Sequence, residues 1–271
     1  MKTLKYFLIC VVIWLILFAA IRISGLEDTL VFNPSAPLES FIEKSGGIEQ
    51  IIKTEDGQEI VSWFYKGDPK KPVIILSHGR SAYDFTLLPL IGILRGQGNT
   101  LVAYSYSGYG KSTGKPSEKA IYQDLQSVIN AVKKQFNLTD KDIILMGHSM
   151  GGAVAIDAAS KNAYKALIVG STFSSIRDVQ RYQSIEKPAL SMLALLPLKH
   201  KMNSAAKVAK VKTPFYMFHS KDDTIAPYYM SEKLVRRNPA IMRFTYNKGN
   251  HNYVFWYADD LAAVIKEINN K

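Results

Sequence analysis

Short apolar runs recur along this chain and alternate with segments of helical periodicity. A nearly continuous apolar run of four or five residues is typical of a strand that is buried on both faces of a sheet. Such runs occur at Val73–Ser77, Leu101–Tyr104, Ile143–Met146, Ala166–Val169 and Phe215–Phe218. Between the second and third runs, apolar residues from Ile121 to Phe136 share one helical face, and Ser117 is a suitable N-cap. This alternation predicts an α/β fold with a mostly parallel central sheet flanked by helices.

The chain before the first buried run is less regular. Residues Ile48–Thr54 and Glu59–Tyr65 alternate apolar and polar positions across the Asp56-Gly57 turn, which predicts a β-hairpin at an edge of the sheet. Leu26–Ser45 contains two X-Pro pairs and is typical of an irregular connector. The predicted organisation is an N-terminal segment (1–25), a connector (26–47) and one large domain (48–271) with a short cap at about residues 171–212.

The N-terminal segment is the most apolar part of the chain. Tyr6–Ile21 is uncharged over 16 residues and is bounded by Lys5 and Arg22, whose side chains can reach a membrane interface. This length lies between the apolar region of a cleaved signal peptide and the roughly 20 residues of an uncleaved anchor. Cleavage after Ala20 would leave Phe18 at a position that favours a small residue. We therefore predict an uncleaved transmembrane segment.

The charges around this segment predict its orientation. Lys2 and Lys5 precede the segment, whereas Glu27 and Asp28 follow it; Arg22 is the exception. By the positive-inside rule, the N-terminus is cytoplasmic and the large domain is exported. The predicted localisation is thus a single-pass membrane protein that contacts the membrane through its N-terminal segment. The alternative is a protein secreted after cleavage of a signal peptide.

Composition excludes several classes of function. The 271-residue chain has a formal net charge of +11, but its basic residues are dispersed rather than arranged in a stripe, so we predict no nucleic-acid partner. Cys10 is the only cysteine, which rules out an internal disulfide and a thiolate zinc site. No HExxH spacing occurs, and we predict neither a metal nor a cofactor. Protein partners cannot be identified from the sequence.

The strongest chemical motif directly follows the third buried run. Gly147-His148-Ser149-Met150-Gly151 lies between that run and a helix of small residues, which is the strand, G-x-S-x-G, helix order of a nucleophile elbow. Such a turn strains the serine backbone and raises the hydroxyl above the sheet. A phosphate-binding loop fits less well, because Lys followed by Ser or Thr is absent here. Ser149 is therefore the predicted nucleophile.

A serine nucleophile requires a histidine base and a carboxylate that orients the histidine. His251, in a loop before the last helical segment, is the predicted base. Asp223 follows the fifth buried run and is the preferred acid, while its neighbour Asp222 is the alternative and the better candidate for capping the turn. His200 and His219 have no partnered context in the sequence.

The oxyanion formed after nucleophilic attack needs two backbone N–H donors. The residue after the nucleophile, Met150, is the first predicted donor. The second comes from the loop after the first buried run, where Gly79 permits a close backbone approach. We assign it to Arg80, with Ser81 as the alternative, and expect His78 to order the loop rather than to titrate in catalysis.

From about Ile48 onward the chain resembles the α/β-hydrolase superfamily. The resemblance rests on H-G-x, S-G-Y-G-K-S-T-G-K-P-S-E, G-H-S-M-G-G, a D-x-x-x-P loop and G-x-H, in that order. This set is similar to membrane-anchored bud-emergence-type hydrolases and their acyl-protein thioesterase (depalmitoylase) relatives. The resemblance implies an α/β-hydrolase fold and a serine esterase or thioesterase that uses no cofactor. Ser105, Ser107 and Arg80 stand where these relatives usually carry Asp, Arg and Asn, which puts the support of the oxyanion loop in question.

The predicted activity is two-step acyl transfer from an ester or thioester of a small-molecule or acylated substrate. A serine peptidase or amidase, a membrane lipase and a non-catalytic binding module on the same fold are the alternatives. The apolar stretch Pro188–Leu198, which includes Leu195 and Leu196 and precedes several lysines, is a hypothetical acyl-chain site.

Overall fold

An eight-stranded sheet forms the centre of the protein in a computed structural model that describes residues 2–34, 45–80, 87–186, 197–252, 254–256 and 258–271. The strands are β1 (Ile48–Lys53), β2 (Glu59–Tyr65), β3 (Val73–Ser77), β4 (Leu101–Tyr104), β5 (Ile143–His148), β6 (Ala166–Gly170), β7 (Phe215–Ser220) and β8 (Met242–Tyr246). Their order across the sheet is β1-β2-β4-β3-β5-β6-β7-β8. Strand β2 runs antiparallel to both of its neighbours, and all other neighbouring pairs are parallel.

The strands agree with the hydrophobic pattern. Every residue of β3 to β7 is buried, as expected for strands covered on both faces by helices. Strands β1 and β2 form the predicted hairpin, with Ile52 opposite Ile60 and Lys53 opposite Glu59. The prediction of an α/β fold with a mostly parallel sheet is confirmed.

Nine α-helices are present in the described parts of the chain. They are α1 (Lys2–Ser24), α2 (Leu26–Phe32), α3 (Leu87–Gly96), α4 (Glu118–Phe136), α5 (Met150–Ala159), α6 (Ile176–Glu186), α7 (Ser204–Lys207), α8 (Tyr229–Arg237) and α9 (Ala258–Asn269). The Ser117 hydroxyl accepts a hydrogen bond from the Ala120 amide at 3.1 Å and caps α4 as predicted. Helix α4 buries its apolar face, including Ile121, Leu125 and Val128, against the protein.

The strand order places the candidate site. After β3 the chain moves outward to β4, and it then crosses back to form β5 on the other side of β3. The direction of winding therefore reverses between β3 and β5. Ligands of open α/β sheets bind at such a switch point, beside the carboxyl ends of the strands. The loop that begins at His78 and the turn at Ser149 leave these two ends side by side.

The prediction of an N-terminal transmembrane segment is wrong. Across the described residues, the structure contains no helix with the combined length and apolarity that a bilayer crossing requires. Helix α1 covers the apolar stretch, but the 16 uncharged residues of Tyr6–Ile21 rise only about 24 Å in a helix, less than the roughly 30 Å hydrocarbon core. The single-pass topology with an exported domain rested on this segment and is also wrong, and membrane contact through it is not supported.

The connector also differs from its prediction. Its first part, Leu26–Phe32, is helical and packs onto the large domain, where the Phe32 side chain is fully buried in the main core. The acids Glu27 and Asp28 lie in the first turn, where their negative charges interact favourably with the positive end of the helix dipole. The two X-Pro pairs suggested irregular chain, but a buried aromatic side chain fixes this turn regardless of local propensity. Residues 35–44 lie outside the described part, and the predicted domain boundaries remain a prediction.

Candidate active site

Ser149 lies at the sharp turn between β5 and α5. Its backbone adopts φ 53° and ψ −115°, a combination that side chains rarely allow and that neighbouring contacts must hold. The Thr172 hydroxyl donates to the Ser149 carbonyl at 2.9 Å, and the Ser149 amide donates to the Gly170 carbonyl at 2.9 Å. The Ser149 hydroxyl does not cap α5, and the residue is 8% exposed. The hydroxyl is therefore left for chemistry.

The two glycines of the G-x-S-x-G motif allow three backbone segments to pack together. A Cβ at Gly147 would lie 2.3 Å from the Gly151 carbonyl oxygen. A Cβ at Gly151 would lie 2.0 Å from the Ser77 carbonyl oxygen and 2.6 Å from that of His78. Only glycine fits these gaps, because backbone atoms cannot give way as the end of a flexible side chain can. The start of α5 is thereby held against the loop that follows β3.

His251 connects Ser149 to Asp223 by hydrogen bonds. Its Nε2 lies 2.9 Å from the Ser149 hydroxyl oxygen, and its Nδ1 lies 2.9 and 3.0 Å from the two Asp223 carboxylate oxygens. All three residues are buried, with 8, 6 and 4% exposure for Ser149, His251 and Asp223. Because a carboxylate only accepts hydrogen bonds, Nδ1 carries the proton and Nε2 faces the serine as the acceptor. This is the tautomer that a general base requires.

His251 and the loop after β7, which we call the acid loop, keep Asp223 ionised. Burial alone would raise the pKa of Asp223, but the hydrogen bond and charge of His251 outweigh it, and the pKa lies below its ordinary value. Two further donors, the amides of Ile225 and Ala226, contact one carboxylate oxygen at 2.9 and 2.8 Å. The other oxygen lies 3.4 Å from Nε2 of His219, whose pKa is lowered chiefly by burial. His219 also donates to the Ala226 carbonyl at 2.7 Å, which closes the loop.

Asp222, the alternative acid, faces another part of the site. Its Oδ1 accepts hydrogen bonds from the Ser220 hydroxyl at 2.5 Å and from the Asn250 amide at 2.7 Å. It therefore joins the acid loop to the backbone beside His251 rather than contacting the imidazole. Among the hydrogen bonds of the described residues, His251 is contacted by Asp223 and not by Asp222.

Several supporting residues could not be identified from the sequence. Nε2 of His148 donates to the His251 carbonyl at 2.9 Å, and thus links the serine turn to the histidine loop. His219, which lacked a partner in the sequence, lies beside Asp223. Thr172 lies two residues after the end of β6, and its hydroxyl donates to the Ser149 carbonyl. No periodicity or motif spacing in the sequence indicates these contacts, although His148 lies inside the G-x-S-x-G motif.

The two predicted oxyanion donors lie at the start of α5 and in the loop after β3. Met150 is the first residue of α5, and the first amides of a helix have no intrahelical acceptor. The positive end of the helix dipole also lies here. Arg80 lies in the loop after β3, and the Tyr109 hydroxyl lies 3.0 Å from the Arg80 carbonyl oxygen. The alternative donor, Ser81, lies outside the described residues, as do residues 188–196 of the hypothetical acyl-chain site.

The serines that depart from the resembling families support the loop packed beside the site. The Ser107 amide and hydroxyl donate to the two carboxylate oxygens of Asp124 at 2.8 and 2.7 Å. Burial raises the pKa of Asp124 to about 6, although these hydrogen bonds oppose the change. Ser105 is fully buried, and its carbonyl accepts from the Ser112 hydroxyl at 3.0 Å. A carboxylate on α4 therefore anchors this loop through Ser107.

The arrangement can carry out nucleophilic chemistry with the protein's own groups. The Ser149 hydroxyl can pass its proton to His251 while its oxygen attacks an electrophilic carbonyl, and Asp223 stabilises the resulting imidazolium. Within the ranges that the structure describes, no group of three or more His, Cys, Asp or Glu side chains is placed to hold a metal ion.

Comparisons with known proteins found similarity to a protein family, to curated relatives and to solved structures. The model of the Hydrolase_4 family, described as serine aminopeptidase, S33, matches residues 68–207. An uncharacterized protein of Mycobacterium tuberculosis is 27% identical over 214 residues, which cover 77% of this chain and 74% of that protein. Alpha/beta hydrolase domain-containing protein 17C of Xenopus tropicalis is 26% identical over 223 residues, covering 81% and 69%. The structure of the Pyrococcus furiosus esterase Pf2001 is similar with a TM-score of 0.69 at 19% identity, covering 83% and 92%.

Proposed function

The chain belongs to the Hydrolase_4 family of the α/β-hydrolase superfamily, and we propose that it is a serine esterase or thioesterase acting through Ser149, His251 and Asp223. That it is a hydrolase follows from the family and from its esterase and thioesterase structural neighbours. The observation that carries the proposal is the continuous hydrogen-bonded path from the strained Ser149 through His251 to an ionised Asp223.

The first half of the proposed reaction acylates Ser149. The Ser149 oxygen attacks the carbonyl carbon of the substrate while Nε2 of His251 takes the hydroxyl proton. The tetrahedral oxyanion is stabilised by the backbone N–H groups of Met150 and Arg80. It collapses when the bond to the leaving alcohol or thiol breaks, and His251 returns the proton to that group. The products are the acyl-enzyme and the free alcohol or thiol.

The second half releases the acyl group. Water replaces the leaving alcohol or thiol, and His251 takes a proton from the water as it attacks the acyl carbonyl. The same two N–H groups stabilise the second oxyanion. Its collapse breaks the bond to Ser149, and the proton returns to the serine oxygen. The carboxylic acid leaves, and the enzyme recovers its initial state without a cofactor.

We favour ester or thioester cleavage over amide cleavage because of the proteins whose solved structures are similar to this one. These include the Pyrococcus furiosus esterase, a ferulic acid complex of Est1E from Butyrivibrio proteoclasticus and a thioesterase domain from the curacin pathway. The second candidate is a serine peptidase, which the description of the matching family favours. Both reactions use the same nucleophile and base, and the shape of the substrate pocket decides between them.

The proposal is tested by active-site labelling followed by substrate profiling. The full chain is treated with a fluorophosphonate probe, beside Ser149→Ala, His251→Ala and the control Ser160→Ala, whose serine ends α5 outside the triad. We expect labelling of the wild type and the control but of neither triad variant. The labelled protein is then assayed with p-nitrophenyl esters, acyl thioesters and aminoacyl anilides.

Each outcome of this experiment decides between the candidates. Turnover of esters or thioesters without detectable turnover of the anilides supports the proposal. Turnover of the anilides favours the peptidase, because the amide bond is the harder one to cleave. A folded wild-type chain that is neither labelled nor active contradicts both enzymes and favours a non-catalytic module on this fold.

A further inference from the structure

The loop after β3 presents three successive carbonyl groups, and each of them accepts a hydrogen bond. The Tyr106 hydroxyl donates to the His78 carbonyl at 2.9 Å. Nδ1 of the His78 ring contacts the Gly79 carbonyl at 2.7 Å, and the Tyr109 hydroxyl lies 3.0 Å from the Arg80 carbonyl. Since a carbonyl only accepts, Nδ1 of His78 carries the proton. The orientation of every peptide plane from His78 to Arg80 is thus fixed from its oxygen side.

Fixing these oxygens also aims the N–H groups. The carbonyl of Gly79 and the N–H of Arg80 belong to the same planar peptide unit, and in a trans peptide they point in opposite directions. The described chain contains no cis peptide bond. The contact between His78 and the Gly79 carbonyl therefore directs the N–H of Arg80, which is the proposed second oxyanion donor, away from the His78 ring.

The two tyrosine hydroxyls that hold the loop are protonated, and their rings pack tightly against His78. Burial raises the pKa of the Tyr106 and Tyr109 hydroxyls above the ordinary value, so both act as donors at any physiological pH. The His78 ring lies 4.3 Å from the Tyr106 ring and 5.2 Å from the Tyr109 ring, centroid to centroid. These three side chains form one buried block beneath the loop.

A segment far away in sequence contacts the same loop. We name residues Gly25–Pro34, which contain α2, the strap. The single proton of the Tyr109 hydroxyl is shared between the Arg80 carbonyl and the Phe32 carbonyl of the strap, because both oxygens lie within hydrogen-bonding distance of the hydroxyl. The Arg80 guanidinium donates to the Leu30 carbonyl at 2.9 Å. The strap therefore contacts Arg80 twice, directly through its side chain and through the shared Tyr109 hydroxyl.

The strap has its own attachment to the rest of the fold. The Glu27 carboxylate accepts from the Lys199 and His200 amides at 2.6 and 2.9 Å, and the Asp28 carboxylate contacts Nε2 of His200 at 2.6 Å. The Phe32 ring packs edge-on against the His200 ring at 4.7 Å. Because these contacts do not involve the loop, the strap can act as a fixed support for it.

We infer that the strap and Tyr109 position the Arg80 N–H for oxyanion stabilisation, so that Tyr109 and the Arg80 side chain are positioning residues. The inference rests on the proposed serine hydrolase function. Loss of either contact leaves Ser149, His251 and Asp223 in place but loosens the Arg80 residue itself, so that the Gly79 carbonyl contact with His78 alone holds the peptide that carries the Arg80 N–H. An oxyanion donor acts on the transition state, so the effect falls on kcat rather than on KM.

The experiment compares Tyr109→Phe, Arg80→Ala and Arg80→Lys with the wild type in the full chain, on whichever ester the wild type cleaves best. Tyr65→Phe is the matched control, because it also removes a buried tyrosine hydroxyl with a hydrogen-bonding partner, here Ser45 at 2.7 Å, in β2. Loss of a whole oxyanion donor costs about 10²–10³ in kcat. Loosening one donor costs less, and we expect kcat to fall about tenfold for Tyr109→Phe and several-fold for Arg80→Ala.

A second measurement separates positioning from general damage to the fold. An alkyl boronic acid, which forms a tetrahedral adduct on serine, is expected to bind Tyr109→Phe and Arg80→Ala more weakly by the same factor as kcat falls. KM and the thermal midpoint of Arg80→Ala should stay near those of the wild type, since the Arg80 side chain is exposed. Arg80→Lys retains a donor that can reach the Leu30 carbonyl and should recover most of the loss.

The inference is overturned if both Tyr109→Phe and Arg80→Ala keep kcat and boronate affinity within twofold of the wild type. It is also overturned if Arg80→Ala raises KM at constant kcat, because Arg80 then binds substrate directly. In either case an active, labelled wild type leaves the proposed function standing. A wild type without labelling or turnover removes the function and the inference together.

Discussion

Replacing Asp223 with asparagine should leave the geometry of the site almost unchanged and still abolish most activity. One oxygen of Asp223 accepts from the Ile225 and Ala226 amides, so the asparagine must keep its carbonyl oxygen at that position. Its amide nitrogen then takes the place of the other oxygen, 2.9 Å from Nδ1 of His251. Two N–H groups cannot face each other at this distance, so we expect Nδ1 to give up its proton and accept from the amide, rather than keep the proton for the retained oxygen at 3.0 Å.

The exchange of tautomers determines the size of the effect. With Nδ1 as the acceptor, a neutral His251 carries its proton on Nε2, which faces the Ser149 hydroxyl at 2.9 Å and can no longer take the serine proton. In a serine protease triad this change lowers kcat about 10⁴-fold. That factor corresponds to about 5 kcal/mol of transition-state stabilisation. We expect a loss of the same order here, because the buried carboxylate contacts His251 in the same way.

The neighbouring variant Asp222→Asn is the matched control for this prediction. Asp222 uses one oxygen to accept from the Ser220 hydroxyl and the Asn250 amide, and an asparagine carbonyl can accept both. Its kcat should stay within about fivefold of the wild type, because no imidazole tautomer depends on it. Both variants are assayed for ester turnover, with circular dichroism to verify folding. A loss below about tenfold for Asp223→Asn, or equal losses for both variants, refutes the reasoning.

Three further predictions concern the support of the site. Gly151→Ala places a Cβ 2.0 Å from the Ser77 carbonyl oxygen and so pushes α5 away from the loop after β3. We expect kcat to fall more than about 100-fold and the thermal midpoint to fall as well. Normal turnover would contradict this. Asp124 has a folded pKa of about 6 against an ordinary 3.8, so the folded state holds its proton more tightly and loses stability as pH rises through this interval, by up to about 3 kcal/mol relative to Asp124→Asn. Urea unfolding of both proteins at pH 4 and pH 7 tests this, and a constant difference would contradict it. Phe32→Ala should lower the free energy of unfolding by about 3–5 kcal/mol, because Phe32 is fully buried; a urea titration showing less than about 1 kcal/mol would mean that the strap is not part of the core.

The sheet and the sharp turn at Ser149 could be predicted because their determinants are local. Each of the runs that became β3 to β7 needs only a continuous apolar sequence to be buried on both faces. The Ser149 turn is specified within five residues, since Gly147 and Gly151 are the positions where a Cβ would meet backbone. In both cases a short segment of sequence contains the whole physical reason for the structure.

The choice between Asp222 and Asp223 depends on information that a sequence pattern does not contain. Both acids follow β7, and either could reach a histidine in the loop beyond β8. The structure distinguishes the two acids, because the turn directs the Ile225 and Ala226 amides to Asp223. The N-terminal segment posed a different difficulty. Its length was borderline for a transmembrane helix, and flanking charges cannot replace the missing apolar residues.

The strap gives a physical reason for one departure from the resembling families. Arg80 stands where those families usually carry asparagine, and in this structure its guanidinium spans the gap to the Leu30 carbonyl. An asparagine side chain is several bonds shorter and could not reach that carbonyl unless the loop backbone moved toward α2. Such a movement would disturb the contact between Tyr109 and the Arg80 carbonyl. The contact with the strap therefore requires a long side chain at position 80, and a shorter residue there would require another anchor for the loop.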